Sequence, residues 1–397
     1  MTLKIILIAL SSVLFSLSSY ASVEIGHFRT LLKHQEFSEL EKQQKQINDA
    51  YVRGDISWTE YYQAFDYTFF DRDFDQDWLV SSINRLEQSH SDSPYRLLNL
   101  GIYYTSKGFN IRGSGWISTV SNYQQKKMYE SFSIANEYLT QALEQDPTLI
   151  SAYQNLVRMA KTSSDVGVEK YIASVFEQGL SVKPDNYALA VNVLYSQLPI
   201  WGGSYEKMEQ TISELKPHFD NNPGDYEKLV GIGLHHRIKK HIKKKRFKLA
   251  LRELEPYKSV HSSLIQRDLA RIYRDMGQWE KCYRHATLAV TEDPHSYAQG
   301  MLGYCSQKLE KWQESKQAFT NHARYSGVGA WNLYYLGKAY LYTGGYDMAY
   351  PLFKESIIQK ADYRKYSLPH INYIQEHHPK QTGKTLQSVY QQLRIGD

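Results

Sequence analysis

The chain has 397 residues, and its 47 lysines and arginines against 42 aspartates and glutamates give a formal net charge of +5. This mild charge excludes the strongly basic proteins that bind nucleic acid through many phosphate contacts, so we expect no nucleic acid partner. The 33 tyrosines are unusual for this length. Tyrosine combines a large apolar ring with a polar tip, which suits both helix packing and a binding groove.

The first 21 residues have the pattern of a secretory signal peptide. Lys4 precedes an apolar run at residues 5–15, and a stretch of small residues ends at Ala21. No later apolar run approaches the ~20 residues that a membrane span requires. The sequence therefore predicts an exported chain, periplasmic or secreted, with no transmembrane span after cleavage.

Residues 22–93 are predicted to form an N-terminal helical region. Phe28, Leu31 and Leu32 follow helical spacing, and Trp58 begins a second, densely aromatic run. Aspartates at alternate positions from 71 to 77 lack the glycine turn and the closing glutamate of a calcium loop. We interpret them as a solvated acidic turn.

One pattern recurs three times in residues 263–361, which we predict to be three regular repeats. Its leucines Leu269, Leu302 and Leu336 are separated by 33 and 34 residues. A period near 34, without alternating apolar runs, predicts pairs of helices and an all-α fold.

The same pattern continues, loosened, through residues 94–262, which predicts divergent helix-pair repeats. Leu100, Gly101 and Tyr104 match the later repeats, but an inserted loop at residues 108–127 separates them from their partner helix. Residues 362–397 are more polar and are predicted to form a C-terminal capping helix and tail. A stacked array needs such a terminal element with one wet face.

The repeats of residues 263–361 resemble the tetratricopeptide repeat. That resemblance implies an all-α, tetratricopeptide-like helix-pair solenoid with a right-handed superhelix, in which the first helix of each pair lines a concave groove. The motifs RGSGW at residues 112–116 and WGGS at residues 201–204 resemble a bacterial domain-of-unknown-function family. This second resemblance assigns no activity.

The groove of such a solenoid is the first candidate site. Eight residues fall on the groove side of the first helices when the repeat is applied here: Arg267, Arg271, Arg274, Tyr297, Tyr304, Trp331, Tyr334 and Lys338. Arginine and aromatic side chains are enriched at binding hot spots. This composition favours an extended peptide or chain with acidic groups, and the alternative is that these are ordinary exposed helix residues.

The inserted loop is a second candidate site, together with a later turn. It comprises Arg112, Gly113, Ser114, Gly115 and Trp116, with Trp201 in the turn. Glycines expose main-chain amides and arginine adds a bidentate donor, so the loop suits an anion. The alternative is a tight loop that Trp116 pins to the core. An envelope enzyme or enzyme accessory would use this site.

Residues 239–248 are rich in lysine and would attract an anionic surface, although charge runs at helix connections are usually only solvated. His235, His236 and His241 lie near this run, but their spacing does not fit metal ligands on one helix. We therefore expect no metal and no cofactor.

The two cysteines, Cys282 and Cys305, fall on helices that are predicted to touch. A disulfide between them and a pair of buried thiols are both open. The sequence contains no nucleophile motif and predicts no catalytic residue. We expect an exported bacterial cell-envelope binding or scaffold protein, not an enzyme, that recognises a protein or peptide partner in its helical groove without turnover.

Overall fold

The computed structural model describes residues 26–69, 77–89, 93–113, 119–163, 167–294 and 297–393. These residues form α-helices and short 3-10 turns, and no strand occurs among them. The chain divides into two compact units. The N-terminal unit is Met1–Met208 with Pro217–Phe219, and the C-terminal unit is Glu209–Lys216 with Asp220–Asp397. The predicted signal peptide lies outside the described residues.

The helices of the N-terminal unit follow one another with short connections. They are α1 His27–Lys33, α2 Phe37–Arg53, α3 Trp58–Ala64, α4 Asp77–Gln88, α5 Pro94–Arg112, α6 Asn122–Gln145, α7 Ile150–Ala160, α8 Val168–Val182 and α9 Tyr187–Ser196. Helix α5 packs on α6, and α7 packs on α8. Helix α5 is capped at its start, because the Ser93 hydroxyl accepts a hydrogen bond from the Tyr95 amide at 3.2 Å and proline occupies the first turn.

The helices of the C-terminal unit repeat the same arrangement more regularly. After α10 Tyr205–Leu215, which crosses the division between the units, they are α11 Pro223–Lys243, α12 Phe247–Leu254, α13 Ser263–Asp275, α14 Trp279–Glu292, α15 Ala298–Lys308, α16 Trp312–Ser326, α17 Ala330–Tyr342, α18 Tyr346–Gln359, α19 Arg364–His377 and α20 Leu386–Leu393. The pairs α13–α14, α15–α16 and α17–α18 pack tightly, and α14–α15 and α16–α17 join one pair to the next. Within each unit the predicted all-α helix-pair fold is confirmed.

Small residues let these helices approach closely. Gly303 on α15 lies against the buried ring of Phe319 on α16, and Gly337 on α17 lies against Phe353 on α18. Bulk on one helix therefore fills the space that glycine leaves on the other. This packing fixes the orientation of the first helices α15 and α17, which carry the candidate site.

The N-terminal unit buries polar side chains in matched networks. Gln44 and Asn99 exchange two amide hydrogen bonds of 2.9 and 2.8 Å in the core. The half-buried carboxylate of Asp66 accepts from the Ser151 hydroxyl and from the Asn155 amide at 3.0 and 3.1 Å. These bonds tie helices that are distant in sequence, because a buried polar group must find a partner.

Helix α20 packs its apolar side on the core of the C-terminal unit. Val389 and Leu393 are buried there with Phe319, Leu333 and Leu336, and the side chains of Leu386 and Tyr390 cover the same core. Among the described residues, no helix combines the length and the apolarity needed to cross a membrane.

Candidate functional site

The C-terminal unit contains an open cavity of about 580 Å³, which we call the tyrosine cleft. Its walls come from the first helices α15 and α17, from the turn after α15 and the start of α16, and from the segment that runs into the first turn of α19. The lining side chains are Tyr304, Gln307, Lys308, Glu310, Trp312, Tyr334, Tyr335, Lys338, Tyr342, Tyr363 and Tyr366. Aromatic rings with a few polar groups among them are typical of ligand sites.

Helical spacing explains why these side chains share one wall. Tyr334, Lys338 and Tyr342 are four residues apart on α17, so they lie above one another on one helix face. Tyr304 and Lys308 have the same spacing on α15. Two parallel rows of tyrosine and lysine thus face the cavity.

The rings of the cleft hold one another in place. Trp312 and Tyr342 stack with centroids 4.0 Å apart and an interplanar angle of 11°. Tyr304 meets Tyr335 edge to face at 5.1 Å. Contacts of this kind stabilise aromatic pairs beyond the area they bury. The wall is therefore largely formed before any ligand arrives.

Tyr334 on α17 contacts the two tyrosines that line the cleft near the start of α19. Its ring lies 5.8 Å from Tyr363, which directly precedes α19, and 6.0 Å from Tyr366 in the first turn of α19. Burial and the neighbouring tyrosines raise the pKa of Tyr334, and burial likewise raises the pKa of Tyr363. These phenols stay protonated near neutral pH, so their hydroxyl groups remain hydrogen-bond donors.

Two lysines supply positive charge. The Lys338 ammonium lies 5.8 Å from the ring centroids of both Trp312 and Tyr342. The Lys308 ammonium lies 5.3 Å from the Trp279 ring and 5.7 Å from the Tyr304 ring. Neither lysine forms an ion pair with a carboxylate among the described residues. Both are held by rings, and their charge is left for a ligand.

The two ammonium groups repel each other. Burial, and after it the charge of Lys308, lowers the pKa of Lys338. Among the described residues, the carboxylate on the cleft wall is that of Glu310, which is exposed in the turn after α15. An anion between the lysines would relieve this repulsion, so the electrostatics of the cleft favour a negatively charged group.

Gln307 has an unused hydrogen-bond acceptor in the cleft wall. The residue is 7% exposed. The amide nitrogen donates to the Tyr335 carbonyl oxygen at 2.7 Å, which fixes the side chain. The other end, Oε1, has no hydrogen-bond partner among the described residues. A buried acceptor without a partner is costly, so a donor from a ligand would be bound favourably.

Three of the eight groove residues predicted from the sequence line the cleft, namely Tyr304, Tyr334 and Lys338. The Trp331 ring instead packs on Phe319 at 5.4 Å and covers the core. Tyr297 is 67% exposed and lies outside the cleft.

The three predicted arginines lie on α13 and also fall outside the cleft. Arg271 is exposed and Arg267 is half-buried. The Arg274 guanidinium binds its neighbour Asp275 at 2.6 Å. Its charge is therefore already paired, which leaves the lysines of α15 and α17 as the cations of the cleft.

Sequence reasoning missed Gln307, Lys308 and Trp312, and the tyrosines at positions 335, 342, 363 and 366. A signal for part of this set is present. The pairs Tyr304 with Lys308 and Tyr334 with Lys338 repeat the same four-residue spacing in two successive repeats. That repetition points to one surface on neighbouring first helices.

The second predicted site is only partly described. The Arg112 guanidinium lies 6.0 Å from the Trp201 ring centroid, so the loop and the turn meet at this point. Gly113 has a φ of 70°, a conformation that favours glycine. Ser114, Gly115 and Trp116 lie outside the described residues.

A lysine near this loop has an altered acidity. Burial, followed by the charges of Arg158 and Arg112, lowers the pKa of Lys161 to about 8. Its ammonium lies 5.9 Å from the Tyr195 ring. Three cations thus gather in one part of the N-terminal unit.

The cationic stretch at residues 239–248 lies at the end of α11 and the start of α12. Its basic side chains are exposed: Lys239, Lys240, Lys243, Lys244, Lys245, Arg246 and Lys248. Two nearby histidines contact carboxylates: His235 meets Asp268 at 2.6 Å, and His241 meets Glu253 at 3.1 Å. In the described part of the chain, no three metal-ligating side chains come together.

Cys282 on α14 and Cys305 on α15 are joined as a disulfide, with their Cα atoms 6.1 Å apart. Both are fully buried. The bond connects the second helix of one pair to the first helix of the next, one turn before Lys308 enters the cleft wall.

No known protein family matches the sequence, and no curated protein matches it either.

Proposed function

We propose that this chain is an exported bacterial cell-envelope protein that binds a protein or peptide partner in the tyrosine cleft without turnover. The observation that carries the proposal is the cleft itself, an open cavity of about 580 Å³ whose wall is mainly tyrosine. Tyrosine and tryptophan dominate the energetics of protein interfaces. The signal-peptide pattern of residues 1–21 and the tetratricopeptide-like repeats support export and partner binding.

The binding mechanism is recognition by a wall that is already ordered. Because Tyr334, Tyr342 and Trp312 pack on neighbouring rings, they lose little conformational entropy when a partner binds. A large, rigid aromatic surface gives favourable burial at low ordering cost. Partner affinity should therefore depend on the exposed tyrosines at the mouth of the cleft.

The test is quantitative capture from envelope extracts with the purified protein as bait. Tyr342 and Tyr366 line the cleft and are 54% and 49% exposed, so alanine at either position removes contact area without disturbing a core. We expect both variants to lose most of the partner that the unaltered protein retains. The matched control is Tyr297→Ala, an exposed tyrosine outside the cleft, which should capture the partner normally. Equal capture by all three variants would rule out the cleft.

A second candidate function is attachment to an anionic surface. The observation behind it is the run of seven exposed basic side chains at residues 239–248. Each lysine near an anionic membrane contributes about 1 kcal/mol of attraction. Phosphatidylglycerol vesicles should then bind the protein and release it as salt rises. Binding that survives replacement of Lys243, Lys244 and Lys245 by glutamine would exclude this role.

A further inference from the structure

Three features of the tyrosine cleft indicate which chemical class of ligand it binds. The first is charge: Lys308 and Lys338 both line the cleft beside its rings, and neither pairs with a carboxylate in the described part of the chain. A carboxylate placed between them would form charge-assisted hydrogen bonds to both ammonium groups. The cleft therefore suits an anionic group at this end, away from Glu310.

The second feature is the free acceptor on Gln307. Its Oε1 is buried and unpartnered among the described residues, while its Nε2 is used by the Tyr335 carbonyl. A ligand that brings an N–H or O–H group to this atom would satisfy it. An extended peptide has main-chain N–H groups to donate, whereas the interior of a helix has none, because its N–H groups bond internally.

The third feature is the state of the aromatic faces. Saccharides are bound mainly by stacking on an open ring face. Here Trp312 and Tyr342 cover each other, and the lysine ammonium groups lie by the rings of Trp312 and Tyr304. The wall offers ring edges and phenol hydroxyl groups, which suit apolar side chains and main-chain carbonyl groups of a peptide.

We infer that the tyrosine cleft binds an extended acidic segment of the partner, with a carboxylate between Lys308 and Lys338 and a main-chain N–H donated to Oε1 of Gln307. This assignment rests on the proposed function and specifies its ligand. Side chains next to the acidic residue contact the tyrosine wall.

The test uses the full-length protein without residues 1–21 and two labelled, C-terminally amidated peptides, GEFEFG and GQFQFG, in fluorescence anisotropy. GEFEFG should bind at least about tenfold more tightly than GQFQFG, since each charge-assisted bond is roughly twice as strong as a neutral one. Lys308→Gln and Lys338→Gln should remove most of that preference. The matched control, Lys354→Gln, replaces an exposed lysine 5.5 Å from the Tyr350 ring on α18 and should change nothing.

A double-variant cycle tests the proposed hydrogen bond from a peptide N–H to Oε1 of Gln307. Gln307→Leu and N-methylation of the central amides of GEFEFG should each weaken binding about threefold to tenfold. Combined, the two changes should weaken binding no more than either change alone, because both remove the same hydrogen bond. Additive losses would show that Gln307 does not accept from the peptide.

Other results separate this assignment from the proposed function. If oligogalacturonate binds with lysine dependence and GEFEFG does not, the ligand is an anionic saccharide and the peptide assignment is wrong. If Tyr342→Ala and Tyr366→Ala lose the captured partner but Lys338→Gln leaves both capture and GEFEFG binding unchanged, the partner site stands and the acidic-segment assignment falls. If Lys338→Gln abolishes both, the assignment and the proposed function stand together.

Discussion

Gly303 shows at the scale of one residue how closely the repeats are packed. A Cβ atom at this position would lie 2.7 Å from two ring carbons of Phe319, whose side chain is fully buried and has no room to move. Gly303→Ala should therefore lower the free energy of unfolding by about 1–3 kcal/mol through overpacking. Urea unfolding followed by circular dichroism measures this loss.

The matched control for that substitution is Gly224→Ala. Gly224 lies in the first turn of α11 with nothing within 4 Å of its added Cβ. Alanine has a higher helix propensity than glycine, so this variant should be more stable by about 0.5–1 kcal/mol. The same chemical change thus has opposite signs at the two positions. A loss at both would mean that the Phe319 contact is not the cause.

Lys161 is a residue whose titration reports on the Arg112 loop. Burial, and then Arg158 and Arg112, lowers its pKa to about 8, so roughly half of its side chains are neutral amines at pH 8. Competitive acetylation followed by mass spectrometry should find a reactive Lys161 at that pH. Arg112→Gln should raise the pKa of Lys161 and slow its acetylation, because one of the repelling charges is removed.

Arg112→Lys is the control for this experiment, since it keeps the positive charge and changes only its shape. Its Lys161 should react as in the unaltered protein. If Arg112→Gln left the reactivity of Lys161 unchanged, the Arg112 and Lys161 side chains would be too far apart to interact. The cation cluster would then not be the electrostatic basis of a site at this loop.

At the scale of elements, α20 supports the wall that carries the cleft. Leu393 is buried against the core that contains Leu333 of α17, and the Arg324 side chain donates to the Leu393 carbonyl oxygen at 2.7 Å. Leu393→Ala should lower the free energy of unfolding by about 2–3 kcal/mol, because it leaves a cavity. GEFEFG binding should weaken as well, since Leu333 and Tyr334 are neighbours on one helix.

The control is Gln387→Ala, an exposed position on the same helix. Substitutions of this kind usually change stability by less than about 0.5 kcal/mol. If both variants left stability and binding unchanged, α20 would be only a surface appendage. A stability loss without any loss of GEFEFG binding would show that the α17 face holds its shape without α20.

The sequence predicts the helix pairs better than the site they form. The period from Leu269 to Leu336 defines the repeats because packing of consecutive helices is local in sequence. The cleft depends on which first helices lie side by side, although their residues are about 30 positions apart in sequence. It also depends on rings such as Tyr363, which a later turn places beside those helices. Propensity and period contain no such information. The arginines of α13 share the predicted helix face, yet they lie one repeat away from the cleft.

At the scale of the whole molecule, the disulfide makes the stability of the protein depend on the cellular compartment in which it folds. Disulfides persist after export and are rare in a reducing cytoplasm. Produced with its own first 21 residues in a bacterium and recovered from the periplasm, the chain should begin at or next to Ser22 with Cys282 bonded to Cys305. Produced in the cytoplasm without those residues, it should carry two thiols. Intact mass after alkylation in denaturant distinguishes the two forms.

The bonded form should exceed the reduced form in free energy of unfolding by about 3 kcal/mol, because the cysteines are 23 residues apart and the bond restricts the unfolded chain. The double variant Cys282→Ala and Cys305→Ala should have one stability in both preparations, which separates the bond from any other effect of the compartment. Periplasmic protein that keeps Met1 would refute export through this segment. Equal stability of the bonded and reduced forms would mean that helix packing alone holds α14 against α15.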